Sequence, residues 1–173
     1  MQDKRYPIGE FQCPQSISTQ QITDWIEQIE ALPQQLNKLT AQLTDAELTY
    51  RYRENGWTVR QLIHHIADSH MNSYIRFKLA LTENEPTIKP YAEDKWAELP
   101  DSALPIDISL TCLEALHRRW TVLLESLSNR QLKRSFHHPD TGTMPLEQCI
   151  GLYAWHGAHH LAHIKQALTL KIK

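Results

Sequence analysis

Four stretches of this chain repeat their apolar residues at three- and four-residue steps, and that period commits each of them to a helix. The first carries Ile22, Trp25, Ile29, Leu32, Leu36, Leu39 and Leu43, opened by Ser18 or Thr19 as cap. Pro33 lies inside it and predicts a kink or a short break. The second starts at Thr58, which forms a capping box with Gln61, and runs through Val59, Leu62, Ile63, Ile66, Phe77 and Leu81 until Pro86 and Pro90 stop it. The third shows Leu113, Leu116, Trp120, Leu123 and Leu127, opened by Asp107 or Ser109. The fourth begins near Thr143 and Pro145 and continues through Leu152, Tyr153, Ile164 and Leu168. Only five glycines occur, and no Asn-Gly or Asp-Gly pair separates alternating apolar runs, so hairpin signals are missing. The fold class predicted is all-α, a four-helix bundle. The connection from about Asn84 to Pro105 is too long for a simple turn; it predicts a crossover between helices 2 and 3, and loops of that length tend to be functional.

Composition narrows the partners. A chain of 173 residues suits a single domain, 1–173, with a core large enough to need no staples. Its net charge of -2, without a Lys/Arg run, gives no footprint for nucleic acid or an anionic membrane. The charged, proline-bearing N-terminus lacks the apolar h-region expected of a signal peptide, and no stretch approaches the roughly 18 apolar residues of a membrane span. Three well-separated cysteines, Cys13, Cys112 and Cys149, fit a reducing cytosol better than a disulfide framework. A cytoplasmic location is expected. Cys149 reads as a small core residue, and the tryptophans Trp25, Trp96 and Trp120 as core or interface.

Ten histidines remain to be explained, and they cluster. In the fourth helix His156 and His160 are four apart, so their rings stack on one face and could present two imidazoles to one ion. With about 100° per residue, His156, His160 and His163 fall within about 60° of one another, on the stripe that also carries Cys149, Leu152 and Ala167. Buried imidazoles need partners, since each unpaired buried polar group costs about 1–3 kcal/mol, and a metal satisfies several at once. The second helix offers His64, His65 and His70. His70 lies on its core face, His65 on the edge, and His64 points away. His65 heads a polar stripe with Ser69, Asn72 and Arg76, as a helix lining a polar pocket would. Periodicity alone leaves His65 and His70 both open as a third ligand. His137 and His138 read as turn residues beside a pocket mouth at most, and His117 as solvent-facing.

With both histidine helices in view, the chain resembles the DinB superfamily of metal-binding four-helix bundles, and within it the YfiT-like branch of proposed metal-dependent hydrolases. The resemblance rests on the string from Gly56 to Glu83, G-W-T-V-R-Q-L-I-H-H-I-A-D-S-H and onward, and on G-L-Y-A-W-H-G-A-H-H-L-A-H-I from Gly151. In that superfamily the first ligand follows the helix-opening tryptophan by eight residues, which here selects His65 after Trp57. The ligand set implied is His65, His156 and His160. Many members carry glutamine where this chain has His163, so His163 is open to a supporting role. The resemblance also implies one zinc, or nickel, per subunit of a cytoplasmic homodimer.

Three neutral imidazoles leave a divalent ion with an open position, which is the mark of a catalytic zinc site and not of a closed structural one. The function expected is metal-dependent hydrolysis of a small-molecule substrate by metal-activated water. Asn72 and Arg76 are the substrate-binding candidates, and Asp68, one turn beyond His65, would orient its ring from behind. No general base suggests itself. The same open site would hold a thiolate, so S-transfer from bacillithiol to an electrophile is the second reading implied by the wider superfamily. A metal-binding stress protein without catalysis is the third.

Overall fold

The computed structural model describes residues 3–173. Four long helices dominate it: α1 (Thr19–Thr40), α2 (Val59–Thr82), α4 (Ile106–Glu125) and α6 (Leu146–Leu170). Two single-turn helices, α3 (Glu93–Trp96) and α5 (Asn129–Leu132), and a short hairpin of β1 (Ser135–His138) and β2 (Gly142–Pro145) fill the connections. No helix among the described residues is long and apolar enough to cross a membrane.

Contacts between side chains fix how the helices run. His64 meets Ser109 and His70 meets His117, so α2 and α4 are parallel neighbours. His65 meets His156, Ser69 meets Tyr153 and Ser73 meets Cys149, so α6 runs antiparallel to α2. Both α1 and α2 pack on α4 and on α6, which places the consecutive helices α1 and α2 at opposite corners. Parallel neighbours cannot be joined by a tight turn. The chain from 83 to 105 therefore returns along the bundle, as its length predicts, carrying α3 and a short 3-10 turn at Pro100–Ala103.

Local signals explain the ends. Ser18 caps α1 by accepting from the Gln21 amide. At α2, the Thr58 hydroxyl accepts from the Gln61 amide (3.2 Å) while the Gln61 side chain accepts from the Thr58 amide (3.0 Å). Gln61 also donates to the Ala97 carbonyl at 2.9 Å, tying the crossover to the same cap. A Thr58→Ala variant is expected to lose about 1 kcal/mol and some 2–4 °C in Tm, read by thermal melting; no change would mean that the cap does not hold α2.

Three expectations need correction. Of the kink or short break expected at Pro33, the break does not occur: the first helix continues through it to Thr40, leaving Leu43 outside. Proline has no N–H, so the Ile29 carbonyl one turn earlier lacks its helical donor; the His117 ring supplies one instead, at 2.6 Å. His117 is thus 1% exposed, not solvent-facing. A hairpin does exist: its turn uses Pro139 to Gly142, with Gly142 at φ +84°, in place of an Asn-Gly pair. His137 sits in β1 and exchanges backbone hydrogen bonds with the crossover, its amide donating to Pro86 and its carbonyl accepting from Ile88.

Two apolar clusters form the core. One gathers Trp25, Ile29, Phe77, Trp120, Ile150 and Tyr153; the other gathers Leu36, Leu62, Ile63, Leu113, Leu161 and Ile164. Between the two clusters the interior holds histidines, His70 on α2, His117 on α4 and His156, His159 and His160 on α6, together with Ser69 and Ser73. A buried histidine layer therefore crosses the middle of the bundle. Gly157 lets α1 come close beside it, because a Cβ there would lie 2.7 Å from Leu32.

Candidate metal centre

The rings of His65, His156 and His160 converge between α2 and α6. The Nε2 atom of His156 lies 3.3 Å from Nε2 of His65 and 3.2 Å from Nε2 of His160. One ligand atom from each of the three lies within 4.8 Å of the others. A tetrahedral ion with nitrogens at about 2.0–2.1 Å sets its ligand atoms roughly 3.4 Å apart, so the spacing suits a divalent metal. Hydrogen bonding among the rings alone suits it less well, since one Nε2 cannot serve two partners as donor and remain a good acceptor.

The electrostatics agree with neutral, lone-pair-bearing rings. Burial pushes His65 down to about 4, with the nearby His163 ring adding to the effect. Burial also carries His156 and His160 well below the ordinary imidazole range, with neighbouring imidazoles contributing. A metal requires that protonation state of its histidine ligands.

His163 stands behind this group. Its Nε2 lies 3.1 Å from the Arg5 carbonyl, which can only accept, so that nitrogen carries the proton. Its Nδ1 is then bare and takes the Nδ1–H of His160 at 3.3 Å, which turns the bare Nε2 of His160 toward His65 and His156. A second set of three, His159, His160 and His163, also has close ligand atoms. There, however, the facing nitrogens of His160 and His163 are already engaged with each other. The lone pairs point to the first set.

Other residues singled out from the sequence are placed less uniformly. Arg76 lines a cavity of about 550 Å³ together with Ser69, Tyr91, His138, Tyr153 and His156. Asn72 does not line it: its amide donates to the Asp68 carbonyl of its own helix at 2.9 Å. The Asp68 carboxylate makes no hydrogen bond to His65, because a three-residue step turns it toward the crossover. Burial and the charge of Asp101 there push it up to about 6. His70 touches the site from the core side, its Nε2 being 3.1 Å from Nδ1 of His156. His64 is buried, not pointing away, because the crossover covers it: its ring bonds Ser109 and the Leu104 carbonyl.

A further cavity of about 350 Å³ is lined by all three rings, together with Arg5, Tyr6, Trp57 and Glu93 among others. Glu93 and Asp94 line both cavities, so the crossover helix α3 stands between them. Sequence reasoning missed these carboxylates. Their only signal was the length of the connection that carries them.

A four-helix bundle with a histidine-lined, solvent-reachable centre defines a class of metal-binding protein. The DinB superfamily family model matches residues 28–164, and the chain belongs to that family. A Bacillus cereus (strain AH820) protein, named provisionally as a metal-dependent hydrolase, is 59% identical over 164 residues, covering 95% of each chain. The solved structure of YfiT from Bacillus subtilis, described as a probable metal-dependent hydrolase with an unusual four-helix bundle topology, superimposes with a TM-score of 0.93 at 48% identity over 99% of both chains. A mycothiol-dependent maleylpyruvate isomerase shares the fold at 18% identity, with a TM-score of 0.67 over 83% of this chain and 60% of that one.

Proposed function

We propose that the protein is a zinc-dependent hydrolase whose ion is held by His65, His156 and His160, acting on a small anionic substrate. The observation that carries this is the approach of the His65 and His160 Nε2 atoms to that of His156, at 3.3 and 3.2 Å, beside two open cavities. When bound, such an ion supplies Lewis acidity, which activates water near neutral pH and polarises a carbonyl. The chain's own residues bind and orient. Arg76 makes no ion pair among the described residues, so its guanidinium is free to take a carboxylate or phosphate in the 550 Å³ cavity. Ser69, with its hydroxyl 3.5 Å from Nε2 of His156 and 3.4 Å from the Tyr153 hydroxyl, offers a hydrogen bond to a group seated there.

The second reading, transfer of a low-molecular-weight thiol such as bacillithiol to an electrophile, draws on one observation. Two cavities share His156 in their linings, which gives room for two reactants. The experiment that tests the proposal measures zinc per chain and then turnover of ester and amide substrates with and without added thiol. Turnover without thiol supports hydrolysis. Turnover only with thiol overturns it in favour of transfer, and a protein that takes up no zinc ends both readings. Within either, Arg76→Ala is expected to raise KM for an anionic substrate about 10- to 100-fold with zinc content unchanged. An unchanged KM would remove Arg76 from substrate binding.

A further inference from the structure

The structure assigns to His117 and His70 a positioning role: they form a relay that fixes the tautomer of His156 from a backbone carbonyl freed by Pro33. The chain of contacts begins on α1. Pro33 contributes no N–H, so the carbonyl of Ile29 has no helical donor. Nδ1 of His117 occupies that carbonyl at 2.6 Å. A carbonyl only accepts, so His117 carries its proton on Nδ1 and, as a neutral ring, has a bare Nε2. That Nε2 lies 3.0 Å from Nδ1 of His70, which must therefore donate, leaving Nε2 of His70 bare. It in turn lies 3.1 Å from Nδ1 of His156. The proton of His156 is thus drawn to Nδ1, and its Nε2 is left with the lone pair that faces His65 and His160.

Every link depends on the one before it, and only one end is set by a group that cannot switch roles. Were the Ile29 carbonyl satisfied by a backbone amide, His117 could hold its proton on either nitrogen. The order of the whole row would then be undetermined. Packing limits the alternatives: His70 is 0% and His117 1% exposed, the two rings stack at 15° with centroids 4.9 Å apart, and Trp120 closes on both edge-to-face. Four helices thus contribute to one ligand: α1 the carbonyl, α4 and α2 the relay, α6 the ligand itself.

The relay rests on the metal reading for its purpose but not for its geometry, and the test separates the two. Protein labelled with nitrogen-15 in histidine is studied without metal by long-range proton–nitrogen correlation, which reports which ring nitrogen is protonated. His117, His70 and His156 are each expected to carry the proton on Nδ1. Zinc affinity is then measured by competition with a chelator for wild type, His117→Phe and His117→Gln. The phenylalanine is expected to weaken zinc binding about 10- to 100-fold. The glutamine, whose amide can donate to Ile29 and accept from His70, is expected to restore most of it. A proton on Nε2 of His156 in the metal-free wild type overturns the relay, even in a protein that binds zinc well. So does a folded His117→Phe variant with unchanged zinc affinity. A wild type that shows the three Nδ1 protons yet takes up no zinc supports the relay while ending the metal reading. Should His117→Phe fail to fold, Pro33→Ala serves in its place: its new amide competes for the Ile29 carbonyl, and a fully unchanged His117 tautomer and zinc affinity would refute the link to Pro33.

Discussion

The His160→Ala variant is expected to lose its zinc. Structural zinc sites with four ligands bind with roughly 10–16 kcal/mol, so one ligand of a nitrogen site accounts for about 3–4 kcal/mol, or an affinity loss on the order of 10²–10³. The loss should be as large for His156→Ala and His65→Ala, since the His156 Nε2 lies within 3.3 Å of both other rings. His64→Ala is the matching control. It removes a buried imidazole from the same helix turn, but one whose nitrogens are spent on Ser109 and the Leu104 carbonyl. Zinc per chain, measured by elemental analysis after dialysis, should be full in wild type and His64→Ala and near zero in the other three. Retention in His65→Ala together with loss in His70→Ala would hand the ligand role to His70. Loss in His159→Ala with retention in His65→Ala would shift the ion to the second histidine set. The result would also bear on turnover, because Arg76 and Ser69 line a cavity whose floor is His156.

What could be foreseen from residue order, and what could not, divides along physical lines. The long helices were legible because their apolar period is sustained over several turns, and the Thr58–Gln61 cap because both of its bonds lie within three residues. The crossover was legible from its length alone. That His156 and His160 share one face followed from spacing, whereas preferring His65 to His70 as the third candidate needed the family pattern, since both face inward from α2. His117 was misjudged for an avoidable reason: it falls on the same stripe as Leu113, Trp120 and Leu124, and only its polarity argued for solvent. Its partner, the Ile29 carbonyl, belongs to another helix and could not be read from its own. His64 was misjudged for an unavoidable one, because the crossover that buries it has no periodic signal. The four-residue strands β1 and β2 are too short for alternation to register, and their pairing also depends on the crossover backbone at Pro86 and Ile88.

Acid should destabilise the metal-free protein steeply between about pH 6.5 and 4, through its buried histidines. His65 and His117 are each held neutral down to about 4 by burial, against an ordinary value of 6.5. In the unfolded chain the same rings bind protons below about 6.5. The unfolded state therefore holds more protons than the folded one between those limits, and stability rises with pH across that window. Above about 6.5 the contribution is complete; as the pH falls toward 4 it is lost. Each ring contributes about 1.4 kcal/mol per pH unit, so the two together remove on the order of 6 kcal/mol. That is comparable with the whole stability of an ordinary domain, about 5–15 kcal/mol. His156, His160 and His70, shifted in the same direction by burial, steepen the decline. Asp68 acts in the opposite sense, because its raised carboxyl takes up a proton in the folded state first, but it is half-buried and offsets only a small part. Bound zinc would stabilise the fold near neutrality and be released in the same acid range, since its ligands must stay deprotonated. Urea midpoints measured with a chelator from pH 7.5 to 4.5 should fall steeply below 6.5, with an uptake of at least two protons on unfolding. The His117→Gln variant should lower that uptake by nearly one. A midpoint flat between pH 6.5 and 5 would mean that these rings are charged or solvated in the fold, and the buried histidine layer would have to be abandoned as the organising feature of the bundle.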